Sequence, residues 1–153
     1  MPSDELFMEE ALREAARAKA SGEVPIGAIV VREDKIIGRG WNRPAFDCDP
    51  TAHAEITALR EAGRELGNYR LTDCDLYVTL EPCAMCASAM THARIRRLIY
   101  AADDPKAGAV KSALAVLNHP ALNHRVEVTG GVLAGRAMEM LQAFFRERRA
   151  RQT

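Results

Sequence analysis

An apolar, β-branched run from Leu76 to Leu80 stops at Glu81-Pro82, and two cysteines follow at once, Cys83 and Cys86. The run has the length and composition of a buried strand. Proline is favoured at the first position of a helix, which predicts a strand-to-helix turn with both cysteines in the opening turn of the helix. Residues three apart share a helix face, so both sulfurs can point at one object. The partial positive charge of a helix N-terminus favours thiolates. Two thiolates at this spacing suit a zinc ion, but the pair alone also suits a redox dithiol, half of a structural zinc knuckle or two buried cysteines.

A second stretch, Asp49-Pro50-Thr51-Ala52-His53-Ala54-Glu55, narrows that choice. Asp49 as N-cap and Pro50 at the first helical position predict a helix from about Thr51 to Leu66, with Ile56, Leu59 and Leu66 as its apolar stripe. His53 and Glu55 then lie near its mouth. Residues two apart do not share a helix face, so these two act together only on something held at the helix end. His53, Cys83 and Cys86 supply three zinc ligands, and three protein ligands with one open position is the arrangement of catalytic zinc. Such an ion lowers the pKa of bound water from about 16 toward about 7, and Glu55 is placed to take the proton and hand it on. The competing reading is a closed structural site with Cys74 or His92 as fourth ligand, which leaves Glu55 beside the metal without a role.

The chain has 153 residues and 48% hydrophobic content, enough for a single globular domain, 1–153, with a real core. Lys+Arg and Asp+Glu are both 21, so overall charge gives no sign of a nucleic-acid partner and any such affinity rests on local clustering. No apolar run is long enough to span a membrane, and no signal-peptide pattern opens the chain. Four cysteines, two of them metal ligands, suit a reducing cytoplasm, with Cys48 and Cys74 as free thiols.

Ser3 is the expected N-cap of a first helix that carries Met8, Ala11, Leu12 and Ala15 inward and stops near Gly22. Ile26 to Val31 and Ile36 to Trp41 read as a hairpin about Arg32-Glu33-Asp34-Lys35, with Gly38 and Gly40 marking a bulge or a close backbone approach. Asn42 to Cys48 is a loop. Ile95 to Ala102 is a fourth strand, parallel to the third by a right-handed crossover. Asp104, in the loop after it, has a position suited to ligand contact, because ligands sit beyond the carboxyl ends of such strands; it suits an acidic turn equally well. A short helix over Ser112 to Leu117 and a fifth strand over Val126 to Val128 follow. A final helix from about Val132 carries Ala134, Met138, Leu141 and Phe145 inward, with Phe144 turned about 100° away. Arg146, Arg148, Arg149 and Arg151 crowd its end, where they suit the helix dipole or phosphate groups.

His-x-Glu followed by Pro-Cys-x-x-Cys is the signature of the zinc-dependent nucleobase deaminases. Trp41-Asn42-Arg43-Pro44, Asn68-Tyr69-Arg70-Leu71, Asn123-His124-Arg125-Val126-Glu127 and Phe144-Phe145-Arg146 extend the likeness along almost the whole chain. In these stretches it resembles the bacterial tRNA-specific adenosine deaminases. The resemblance implies a cytidine-deaminase-like α/β fold, three layers with a mixed five-stranded sheet between helices, and one zinc per chain. It implies deamination of adenosine to inosine at the wobble position, 34, of a tRNA anticodon stem-loop, with Glu55 moving protons. It implies a homodimer, and substrate contacts at Asn42, Ile26, Ala54, Leu80, Asp104, Phe145 and Arg149. Asp104 would accept from a ribose 2′-OH, the group that distinguishes RNA from DNA. Asp103 stands where some relatives are basic, a departure within that loop. A free cytidine, guanine or deoxycytidylate deaminase shares the zinc signature but not the Asn-His-Arg and Phe-Phe-Arg stretches. A non-catalytic RNA-binding zinc subunit has no use for Glu55.

Overall fold

The computed structural model describes residues 3–152. Ser3 caps α1 (Asp4–Ala20), its hydroxyl accepting the Leu6 N–H at 3.3 Å. Met8, Ala11, Leu12 and Ala15 are buried along one face of that helix, at the predicted spacing. β1 (Gly27–Arg32) and β2 (Lys35–Trp41) form the expected hairpin, but a tighter one. Arg32 already pairs with Lys35, so only Glu33 and Asp34 turn, both left-handed at φ 51° and 62°. Two such residues give the turn whose twist matches paired antiparallel strands. The register slips between Val30 and Val31, so the bulge anticipated for this hairpin is present.

After the single turn α2 (Pro44–Asp47) come α3 (Ala54–Leu66), β3 (Cys74–Leu80), α4 (Ala84–Ala93) and β4 (Arg97–Ala102). A 3₁₀ turn (Val116–Asn118), β5 (Glu127–Thr129) and α5 (Ala134–Gln152) complete the order. Where a short helix is expected over 112–117, only that 3₁₀ turn forms. The strands lie in the order β2-β1-β3-β4-β5. β1 is antiparallel to both neighbours, while β3–β4 and β4–β5 are parallel. The mixed five-stranded sheet and the parallel β3–β4 crossover are therefore as expected. Alternate residues of each strand point to opposite faces. Val30, Leu76, Val78 and Leu98 meet α3 and α4, and Ile29, Val31, Tyr77 and Ile99 meet α1 and α5. The result is three layers. Close approach of α3 to β2 depends on Gly38 and Gly40, where a Cβ would overlap backbone atoms of Ala58 and Ala54.

Two helix starts differ from the expectation. Asp49 does not cap α3: its Oδ1 accepts the N–H and the hydroxyl of Thr51, both at 2.8 Å, and closes a turn before the helix. α3 therefore begins at Ala54, not near Thr51, with His53 as its N-cap. Likewise Pro82 stands outside α4 and Cys83 is the N-cap. Proline's fixed φ is compatible with both positions, so the residue alone does not choose between them. The α5 stripe also differs. Ala137, Leu141 and Phe144 are buried and Phe145 is 41% exposed, the reverse of the order expected for the two phenylalanines. The helix begins two residues later than assumed, and the face is set by contact with β4 and β3, not by hydropathy alone.

Candidate active site

His53 and Cys83 occupy equivalent places at the mouths of two helices. Each is an N-cap with extended backbone, at φ −74°, ψ 154° and φ −75°, ψ 177°. Their carbonyls accept the first helical hydrogen bonds, from Thr57 and Ala87, at 3.0 and 2.9 Å. Neither side chain caps its own helix, so both are available to a ligand. Cys86 lies one turn into α4 and is fully buried; His53 and Cys83 are partly exposed. Nδ1 of His53 is 3.6 Å from Cys83 Sγ and 3.4 Å from Cys86 Sγ. Tetrahedral zinc, with bonds of about 2.05 Å to nitrogen and about 2.3 Å to sulfur, holds such atoms about 3.5 Å apart. The donor set fits one zinc ion. Among the described residues no fourth His, Cys, Asp or Glu joins this group, so neither Cys74 nor His92 closes it.

The electrostatics follow from the proximity. One thiol donates to the other, and together with His53 this takes Cys83 down to about 3 and pushes Cys86 up. The contact with Cys83 raises His53, against the effect of its burial. Glu55, in the first turn of α3, is 4% exposed, and burial raises its carboxyl to about 7. A carboxyl near neutrality can both take and give a proton at physiological pH.

The remaining predicted residues lie on several different elements. Asn42 is buried and its N–H donates to Ile26 C=O at 3.0 Å, joining the two ends of the hairpin. The next N–H, of Arg43, donates to Ala52 C=O at 2.9 Å and ties this loop to the residue before His53. Ala54 opens α3 and Leu80 ends β3. Asp104 Oδ1 accepts the N–H groups of Lys106 and Ala107, both at 3.2 Å, so the acidic-turn role is present in the fold. Asp103 pairs with Lys111 at 3.2 Å, which balances its charge within the loop. Phe145 and Arg149 stand elsewhere, in a cleft of about 690 Å³ lined also by Lys106, Gln142 and Arg146.

Sequence reading missed Glu81. It is 2% exposed and takes hydrogen bonds from the N–H groups of Asp104, Val110, Lys111 and Ser112 and from the Ser112 hydroxyl. Burial alone would raise its carboxyl, but donors led by Lys111 and Ser112 outweigh it and hold the group at about 2. The available signal was a carboxylate directly after an apolar strand, since a charge in that position requires partners.

Comparison with known proteins agrees with the geometry. The model of the cytidine and deoxycytidylate deaminase zinc-binding region matches residues 1–102. A tRNA-specific adenosine deaminase of Haemophilus influenzae is 49% identical over 95% of this chain and 85% of its own length. The enzyme of that name from Agrobacterium fabrum is 50% identical over 94% of each chain. A solved structure from work on A-to-I editing by tRNA:A34 deaminases at the wobble position of transfer RNA superposes with a TM-score of 0.86. It is 49% identical and covers 88% of this chain and 98% of that one. The chain thus belongs to the zinc-dependent cytidine and deoxycytidylate deaminase family and, within it, to the bacterial tRNA-specific adenosine deaminases.

Proposed function

We propose that this chain hydrolyses adenosine to inosine at the wobble position of a tRNA anticodon, releasing ammonia. The observation that carries the reading is Glu55, a buried carboxyl near neutrality beside a three-ligand metal set. A structural zinc site has no use for such a group. Zinc held by His53, Cys83 and Cys86 would supply an activated water to C6 of a base extruded from its stack. Glu55 takes the proton of that water, passes it to the adjacent ring nitrogen and then assists departure of the amine. The Asn42 carboxamide, which can donate and accept, holds the nucleoside together with Ile26 and the backbone at Ala54 and Leu80. Asp104 accepts from the ribose 2′-OH.

The preference for RNA over a free nucleoside is supported by the cleft of Lys106, Phe145, Arg146 and Arg149. Cations there position phosphates, and an exposed aromatic ring can stack on a base. The whole chain, 1–153, acts as one domain and pairs with a second copy. An apolar hollow of about 730 Å³ between α3 and α4, lined by Ile56, Leu59, Tyr69, Leu71 and Ala89, supports that pairing. Four cysteines, none in a disulfide, support a reducing cytoplasm, and no described helix is long and apolar enough to cross a membrane. The test is incubation of the purified protein with tRNA, adenosine and cytidine separately, followed by measurement of inosine and uridine. Inosine from tRNA alone is expected. Product from a free nucleoside alone would replace this reading with that of a free-nucleoside deaminase.

A further inference from the structure

Glu81 is outside the metal set, yet its surroundings are as specific as those of the ligands. Its Oε2 accepts three successive backbone N–H groups, from Val110, Lys111 and Ser112, at 3.1, 2.9 and 3.0 Å. Its Oε1 accepts the Asp104 N–H at 3.1 Å and the Ser112 hydroxyl. Consecutive N–H groups that converge in this way form an anion-binding concavity. Here the anion is part of the chain. The main chain adds two bonds: Glu81 N–H donates to Ala102 C=O, and Pro82 C=O accepts from Ala109, both at 2.8 Å. Gly108 completes the seat, because a Cβ there would overlap the Glu81 carboxylate.

These bonds connect two functional parts. On one side is the turn that carries Cys83, two residues beyond Glu81. On the other is the loop 103–112, which has no helix or strand of its own and carries Asp104 and Lys106. Lys106 lines the cleft shared with Phe145, Arg146 and Arg149. Such a loop has a large conformational entropy to lose, and the carboxylate orders it at both ends. We propose that Glu81 is a positioning residue for the RNA substrate: it sets the loop that bears Asp104 and Lys106 at a fixed distance from the metal turn, so that RNA is held while the target base reaches the metal. The inference rests on the tRNA reading above.

The zinc-loaded full chain and its Glu81→Gln, Glu81→Asp, Gly108→Ala and Ser112→Ala variants test it. An amide turns one acceptor into a donor facing N–H or O–H groups, and the alanine at 108 crowds both the carboxylate and the Asp104 carbonyl oxygen. Four readouts are needed: amide hydrogen exchange over 104–112, affinity for an anticodon-stem-loop RNA by fluorescence anisotropy, kcat and KM, and zinc content. Expected for Glu81→Gln and Gly108→Ala are faster exchange at 110–112 and Kd and KM raised at least about tenfold, the equivalent of one lost charge-assisted contact. Zinc should stay at one per chain and kcat within about threefold, because RNA contacts position the substrate without touching the reacting base. Ser112→Ala should show a smaller effect of the same kind and Glu81→Asp a partial return. Lys106→Ala should weaken RNA binding in the wild-type background and add little to Glu81→Gln, since coupled residues are not additive. Unchanged Kd in Gly108→Ala despite faster exchange would overturn the inference. So would zinc loss with unchanged KM, which would make Glu81 a support of the metal turn. If Glu81→Gln does not fold, Gly108→Ala and Ser112→Ala decide. A wild-type protein that neither binds nor edits the RNA overturns the tRNA reading and this inference with it; one that edits while the variants bind normally overturns only the inference.

Discussion

Gly40 of β2 and Ala54 of α3 lie so close that a Cβ on the glycine would overlap the alanine's carbonyl oxygen. The same Cβ would fall 2.7 Å from the Ala58 N and 3.0 Å from the Thr57 Cβ. Backbone atoms cannot rotate out of the way as a flexible side chain can. The contact therefore places the mouth of α3, with His53 and Glu55, against the sheet.

Gly40→Ala should push α3 away from β2. Overpacking of this kind costs about 1–3 kcal/mol. The variant should also bind zinc more weakly, because the displaced helix mouth carries His53 next to Ala54. Urea denaturation and a competitive zinc titration measure the two effects. Wild-type stability together with wild-type zinc affinity would show that the helix is not held by this contact.

Cys83→Ala and Cys86→Ala each leave two of three ligands and should lose the metal. Zinc also joins the mouths of α3 and α4, so both variants should melt at lower temperature than the zinc-loaded protein. Metal analysis of purified protein reads the first effect and calorimetry the second. Full occupancy in both variants would refute the ligand assignment.

Glu55→Gln should keep fold, zinc and RNA affinity and lose turnover by about 10² to 10⁴, the usual worth of general acid–base catalysis. The loss can exceed that range, since one residue is assigned several proton transfers. Single-turnover rates on tRNA, alongside metal content, decide it. A variant retaining a tenth of the wild-type rate would exclude Glu55 as the shuttle.

Ending the chain after Phe145 removes Arg146, Arg148, Arg149 and Arg151 but leaves the buried Leu141 and Phe144. The exposed Lys19–Glu147 pair, at 3.8 Å, is also lost and contributes little. Affinity for tRNA should fall, with a shallower dependence on salt, because each phosphate contact releases counterions. The maximal rate should change little. An unchanged salt slope with unchanged melting would make the tail a solvated helix end.

Asp4 joins α1 to the sheet by accepting from Tyr77 at 2.7 Å and from Arg97 at 2.9 Å. The bond from Arg97 lowers its carboxyl below the ordinary 3.8; burial opposes this and Tyr77 adds to it. A depressed carboxyl contributes stability that is complete above the unfolded value of about 3.9 and lost as pH falls through the lower folded value. Asp4→Asn should therefore cost about 1 kcal/mol at pH 7. The difference from wild type should shrink below about pH 4. A gap of constant size from pH 7 to pH 3, by urea titration, would contradict this.

Local chemistry was enough to read much of this protein from its residues. His53, Glu55, Cys83 and Cys86 identify their own chemistry, because few combinations of imidazole, carboxylate and two thiols at these spacings do anything but hold zinc beside a proton carrier. The strands, their order along the chain and the parallel β3–β4 crossover follow from hydropathy runs and chain handedness. Tertiary contacts decided the rest. Pro82 and Asp49 each fit two neighbouring positions at a helix start, and packing selected the one that leaves Cys83 and His53 as N-caps with free side chains. Phe144 and Phe145 are equally apolar, and only the docking of α5 on the sheet decided which is buried. Glu81 reads in isolation as a polar residue at a strand end. Its role depends on five donors from residues 104 to 112, a set that sequence distance hides and folding brings together.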